Sequence, residues 1–151
     1  METIKFLKVR DVKTPNRGTE LSAGIDFFVP NDFPGTISLI PGMAINIPSG
    51  LKVKIPSGFC LWMCNKSGVA VKKDLQVGAE IIDEDYQGEI HLHVRNIGQD
   101  VQMISPGEKL VQGLLVPVSY AMPETVGSEE ELFGDVKTDR GEGGFGSTGT
   151  E

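Results

Sequence analysis

PGTISLIPGMAINIPSGLKVKIPSGFCLWMC, residues 34–64, decides the fold. Four turn signals interrupt it every seven or eight residues: Pro34-Gly35, Pro41-Gly42, Pro48-Ser49-Gly50 and Pro56-Ser57-Gly58. Proline presets φ for the first corner of a tight turn, and glycine accepts the positive φ that the second corner demands. Between the turns lie TISLI (36–40), AINI (44–47), LKVKI (51–55) and FCLWMC (59–64), each short, alternating and rich in β-branched or aromatic residues. Many short strands joined by Gly/Pro turns predict an all-β sandwich or barrel.

Outward toward the amino terminus, residues 3–10 read as an opening strand and residues 15–18 as a polar loop. AGIDFF (23–28) follows, with Asp26 a lone acid in an apolar run. A strand-end acid bonded to nearby backbone and a site carboxylate are both open readings of it. In the other direction, NKSGVA (65–70) breaks the strand rhythm. Ser67 is expected to cap a short helix running to about Leu75, and the Gly68 amide and Lys66 beside it would make a seat for an anion; a plain helix cap is the alternative.

EIIDEDYQGE (80–89) then sets Asp83, Glu84, Asp85, Glu89 and Tyr86 between two alternating runs: Leu75, Val77, Ala79 and Ile81 before it, Ile90, Leu92 and Val94 after it. The pattern predicts a β-hairpin with carboxylates at its tip. A solvated turn is the simpler reading. Asp83 stands apart because it directly follows two isoleucines, and a carboxylate at the edge of an apolar strand, partly desolvated, is suited to act as a general base. Further on, SPGEKLVQGLLVP (105–117) reads as a turn and a largely buried strand, in which Gln112 needs a partner or a site to line. Residues 119–139 read as a polar, acidic linker. Residues 140–149 hold five glycines with Arg140, Phe145 and the Ser147-Thr148 pair, a backbone whose amides can wrap phosphate, where a disordered tail is the alternative.

At 151 residues the chain is expected to form one domain with a single core. A net charge of -7 argues against a non-specific grip on nucleic acid or on an anionic membrane, so an anionic substrate must be held by a few local cations and backbone amides. No apolar run approaches the roughly 18 residues needed to cross a bilayer. The opening Met-Glu-Thr-Ile-Lys has no signal-peptide character. Cys60 and Cys64 lie four apart along one expected strand, roughly 13 Å, too far for a mutual disulfide. These features point to a reducing cytoplasm, a host's cytoplasm if the source is viral.

Taken together, these stretches resemble the trimeric deoxyuridine triphosphatase (dUTPase) family, whose five motifs occur here in order between Ala23 and Gly149. The segment 140–149 carries the closing motif in full, Asp83-Glu-Asp-Tyr-Gln-Gly-Glu89 carries most of the third, and Ala23-Gly-Ile-Asp26 matches the first. The resemblance implies a jelly-roll-like β-barrel over residues 1–118, a linker over 119–139 and a flexible glycine-rich arm over 140–151, assembled as a homotrimer with sites at the subunit contacts. It implies hydrolysis of dUTP to dUMP and pyrophosphate with Mg²⁺ on the triphosphate, which limits uracil in DNA and supplies dUMP for thymidylate synthesis. By position, Asp83 corresponds to the base that orients the attacking water, and Tyr86 to the residue that packs under deoxyribose. The backbone around Ile81, Ile82 and His91 would read uracil. Lys66, Ser67, Gly68 and Gln112 would hold the phosphates, and Asp26 would meet the metal through water. Arg140, Phe145, Gly146, Ser147 and Thr148 would arrive from a neighbouring subunit, Phe145 over the uracil.

Three positions depart from the family pattern. Lys66 replaces an arginine and loses its bidentate fork, Glu80 stands where glycine is usual, and Gly113 replaces a common leucine. Two rivals remain: the related dCTP deaminases, which lack the closing glycine-rich motif, and a regulatory or partner-binding protein that keeps the pocket.

Overall fold

The computed structural model describes residues 3–144. The chain divides into two compact units, Met1–Ser119 and Tyr120–Glu151. In the first, the turn-punctuated stretch forms β3 (Ile37–Leu39), β4 (Ala44–Pro48), β5 (Leu51–Lys54) and β6 (Phe59–Asn65), within a residue or two of the spans read from the sequence. Gly35, Gly42, Gly50 and Gly58 all have positive φ, so each turn bends where its glycine stands. Around them lie β1 (Lys5–Lys8), β2 (Ile25–Phe28), α1 (Ser67–Lys73), β7 (Leu75–Gly78), β8 (Ile81–Ile82), β9 (His91–Asn96), β10 (Gln102–Ile104) and β11 (Lys109–Pro117).

Among the described residues these strands form four sheets, in the orders β1-β5, β10-β3, β2-β11-β6-β8 and β4-β9-β7. The all-β expectation holds, although no single ladder closes into a barrel among the described residues. Period-2 alternation explains much of the core: Leu51 and Val53, Leu61 and Met63, Leu75 and Val77, and Leu92 and Val94 are buried, while Lys52, Trp62 and Gln76 between them are exposed. Phe6 meets the buried Phe27 edge-on, with ring centroids 5.8 Å apart.

The predicted hairpin around the acidic stretch differs in its pairing. β7 does pair with β9, from Leu75↔Asn96 to Gly78↔His93. At Ala79 the backbone takes φ 51°, and the chain leaves that sheet. Ile81 and Ile82 then pair with Trp62 and Leu61 of β6 instead. The alternation that puts Ala79 and Ile81 with Leu75 and Val77 ends there, because the turn rotates the following side chains off the buried face.

The helix beginning is also one residue earlier than expected. Lys66 is the N-cap, with no side-chain cap bond, so Ser67 occupies the first helical position and is exposed. In the second unit, part of the expected linker forms a short helix, α2 (Glu129–Phe133). Ser128 Oγ accepts the Glu131 N–H at 3.1 Å and Glu131 Oε2 accepts the Gly127 N–H at 2.9 Å. Ser128 thus satisfies an amide that the helix start leaves without a partner, and Glu131 reaches back to the residue before the cap.

The core also explains Gly113. A Cβ there would stand 2.9 Å from Leu61 Cδ1 and 3.0 Å from the Phe27 ring, space these neighbours already fill. Gly113→Ala should therefore overpack the core and cost about 1–3 kcal/mol. Urea unfolding should show a lower midpoint with an unchanged slope.

Candidate active site

The residues singled out in the sequence that lie on the first unit gather in two places. The first is an open cavity of about 230 Å³ lined by Asn46, Ala79, Ile81, Ile82, Asp83, Tyr86, Ile90 and His91. Its wall is the acidic loop between β8 and β9. A turn closes the loop tip, the Tyr86 N–H donating to the Asp83 carbonyl at 3.2 Å. Glu84 Oε2 accepts the Gly58 N–H at 2.8 Å, and Glu89 Oε1 accepts the Gly50 N–H at 2.8 Å. The loop is therefore pinned to two turns of the 34–64 stretch.

Asp83 is exposed, not partly desolvated as its sequence neighbours suggest. The cause is local: the strand ends at Ile82 and Asp83 begins the turn. Tyr86 donates its hydroxyl to the Glu89 carbonyl at 3.0 Å, and His91 Nδ1 meets the same oxygen at 3.0 Å. Glu80, the departure from glycine, sends its side chain along the sheet, where Oε2 accepts the Trp62 indole N–H at 2.9 Å. Its carbonyl accepts the Met63 N–H at 2.6 Å, which helps hold the chain against β6.

The second group lies where β2, β11 and the end of β6 meet. Register sets Asp26 opposite Gln112, and Gln112 opposite Cys64. Gln112 Nε2 donates to the Asn65 carbonyl at 2.8 Å, the partner its setting calls for. Gly24 makes this possible, since a Cβ there would lie 2.1 Å from Gln112 Oε1. The Asp26 side chain is 5% exposed, with Lys66 Nζ 2.6 Å from Oδ1 and Lys109 Nζ 2.7 Å from Oδ2. Burial alone would raise its carboxyl pKa. The two ammonium groups outweigh it and hold the carboxyl below the ordinary range. Ser67 and Gly68 are exposed beside Lys66 at the start of α1.

Asn46, Ala79, Ile90 and Lys109 were not foreseen. Asn46 carried a usable signal, a polar residue inside the apolar strand 44–47, the same signal that marks Gln112. Lys109 carried only the general need of a buried acid for a cation.

Arg140 belongs to the second unit, where its Nε donates to the Gly143 carbonyl at 2.8 Å. Phe145, Gly146, Ser147 and Thr148 lie outside the described residues.

A sequence model of the dUTPase family matches residues 10–149. The chain belongs to the dUTPase family. It is 36% identical to the deoxyuridine 5'-triphosphate nucleotidohydrolase of Aeromonas salmonicida, over all of both chains. The mouse protein of the same name is 33% identical over 97% of this chain and 85% of its own length. Among solved structures, the dUTPase of Staphylococcus bacteriophage 80alpha with dUpNHpp aligns with a TM-score of 0.77, 24% identity and 99% of each chain covered. A phage phi11 dUTPase variant, described with a structural Mg(II) ion, aligns with a TM-score of 0.73 and 22% identity over 85% of this chain and 99% of its own. Family membership, closing motif included, removes the ground for the deaminase rival.

The depressed carboxyl groups of Asp26 and Glu89 set a direction for acid stability. In the folded protein both hold their protons less tightly than in the unfolded chain, so the unfolded chain binds more protons across that window. Stability should hold at neutral pH and decline as pH falls from the ordinary carboxylate range through the lower folded values. Asp26→Asn should flatten part of that decline while costing about 1–3 kcal/mol at neutral pH. Thermal unfolding measured from neutral to acid pH checks both.

Proposed function

We propose that the chain hydrolyses dUTP to dUMP and pyrophosphate, with Mg²⁺ carried on the triphosphate and the working assembly a homotrimer. The observation that carries this reading is the cavity shared by Asp83, Tyr86, His91 and the Ile81–Ile82 backbone. Uracil would enter there and be read by backbone groups of Ile81, Ile82 and His91. Tyr86, held through its hydroxyl, would pack under the deoxyribose.

Asp83 would take a proton from water as the water oxygen bonds to the α-phosphorus. The bond from that phosphorus to the α–β bridging oxygen breaks, and pyrophosphate leaves with the electron pair. Exposure of Asp83 on the isolated chain suits a base that must receive water. The arm bearing Arg140, Phe145, Gly146, Ser147 and Thr148 would then cover it from a neighbouring subunit and exclude bulk solvent.

Lys66, Ser67, Gly68 and Gln112 would hold the phosphates. In a chain of net charge -7, the cations beside Asp26 supply a local positive field for that purpose. No group of three or more His, Cys, Asp or Glu that could hold a metal occurs among the described residues. The Asp26 carboxylate offers oxygen donors for an ion carried by the substrate and touched through water. Asp26 suits that contact, since its carboxylate stays ionised and its acceptor capacity exceeds two lysine bonds. When bound, Mg²⁺ neutralises charge on the phosphates.

An apolar stripe supports association of copies. Trp62 is 42% exposed and Ile81 54% exposed, side by side across β6 and β8, with Leu114 on the other flank of Trp62.

Pyrophosphate release should be rapid with dUTP and Mg²⁺. UTP should be rejected on the sugar and dCTP on its exocyclic amine, by roughly 10⁴-fold each. Asp83→Asn should lower turnover by at least about 10²-fold while the variant still binds dUTP. Near-normal turnover there would remove Asp83 from the base role. Truncation after Asp139 should leave the melting temperature and sedimentation as a trimer unchanged, yet lower kcat/KM by orders of magnitude. An active monomer would contradict the shared site.

A further inference from the structure

Arg10 follows β1 and lies in none of the motif stretches. Its guanidinium grips Glu89 as a fork, Nε donating to Oε1 at 2.7 Å and Nη2 to Oε2 at 3.2 Å. Oε1 of Glu89 also accepts the Gly50 N–H, so three donors orient one carboxylate. The Arg10 hydrogen bond, ahead of all other influences, keeps that carboxyl below its ordinary range. The main-chain carbonyl of the same glutamate receives the Tyr86 hydroxyl and contacts His91 Nδ1. Tyr86 and His91 are both walls of the cavity. Glu89 thus joins the body of the sheet, through its side chain, to two walls of the site, through its carbonyl. The packing beside it is close: a Cβ on Gly88 would fall 2.3 Å from the Tyr86 hydroxyl oxygen.

The geometry points to Arg10 and Glu89 as positioning residues for sugar discrimination. They act through Tyr86 and His91, fixing how near the tyrosine ring stands to the place a ribose 2′-hydroxyl would occupy. A fork sets both direction and distance for the carboxylate, which a lysine's single charge does not. Because an added hydroxyl is small, a displacement of about 1 Å in the ring decides whether it is admitted. This inference rests on reading the cavity as the dUTP site.

The test uses the full-length protein with dUTP and UTP, each with Mg²⁺. Wild type is measured first, and absence of dUTP hydrolysis would overturn the underlying site reading and this inference with it. With wild type active, Arg10→Met should lower the dUTP-over-UTP ratio of kcat/KM by about tenfold or more, with the dUTP change falling mainly on KM. Arg10→Lys, which keeps the charge and perturbs folding least, should give an intermediate ratio. Tyr86→Phe removes the hydroxyl that Glu89 holds, so the double variant Arg10→Met/Tyr86→Phe should lose little selectivity beyond Tyr86→Phe alone. An unchanged ratio in both Arg10 variants, or fully additive losses in the double variant, would overturn the positioning role even where the melting temperature falls.

Discussion

β6 and β11 pair over seven residues, from Val111↔Asn65 to Pro117↔Phe59, and both halves of the site hang from that ladder. One face of it buries Leu61 and Met63 against Phe27 and the rest of the core. The opposite face carries Gln112 beside Asp26 near one end and Trp62 between Leu114 and Ile81 at the middle. A slip of one residue would exchange the two rows, exposing leucine and methionine and burying an amide without its partner. The register that forms the core is therefore the register that sets Gln112 beside Asp26 on the opposite face.

Charge is placed sparingly in this acidic chain. Asp26 holds Lys66 and Lys109 together, so two point charges flank one buried carboxylate. The fork that does occur, Arg10 on Glu89, is elsewhere and does different work. Its side chains are 42% and 18% exposed, so solvent screens the pair and keeps its contribution to stability modest. What it supplies is direction, passed from a carboxylate to the carbonyl of the same residue.

The acidic stretch shows how one loop divides its carboxylates. Glu84 and Glu89 are spent on the amides of Gly58 and Gly50, and Glu80 on the indole of Trp62. Asp83 and Asp85 are left exposed. Two turns that shape the sheet by their glycine φ angles are thus also the anchor points of the loop that walls the cavity.

The strands of residues 34–64, the buried alternation and the partner requirement of Gln112 were legible in the sequence, because each depends on local chemistry: side-chain period, turn φ and the cost of a buried amide. Ile81, Ile82, Asp83, Tyr86 and His91 were legible as one group through the resemblance to the dUTPase family, which places all five within one short stretch of chain. Tertiary structure decided the rest. Ile81 and Ile82 pair with β6 and not β9 because Ala79 turns the chain, and alternation alone does not specify a strand's partner. Asp83 is exposed for the same reason, despite the isoleucines before it. Lys109 on Asp26 and Arg10 on Glu89 join residues 83 and 79 positions apart. No periodicity reaches that far; only the folded sheets bring those charges within hydrogen-bond distance.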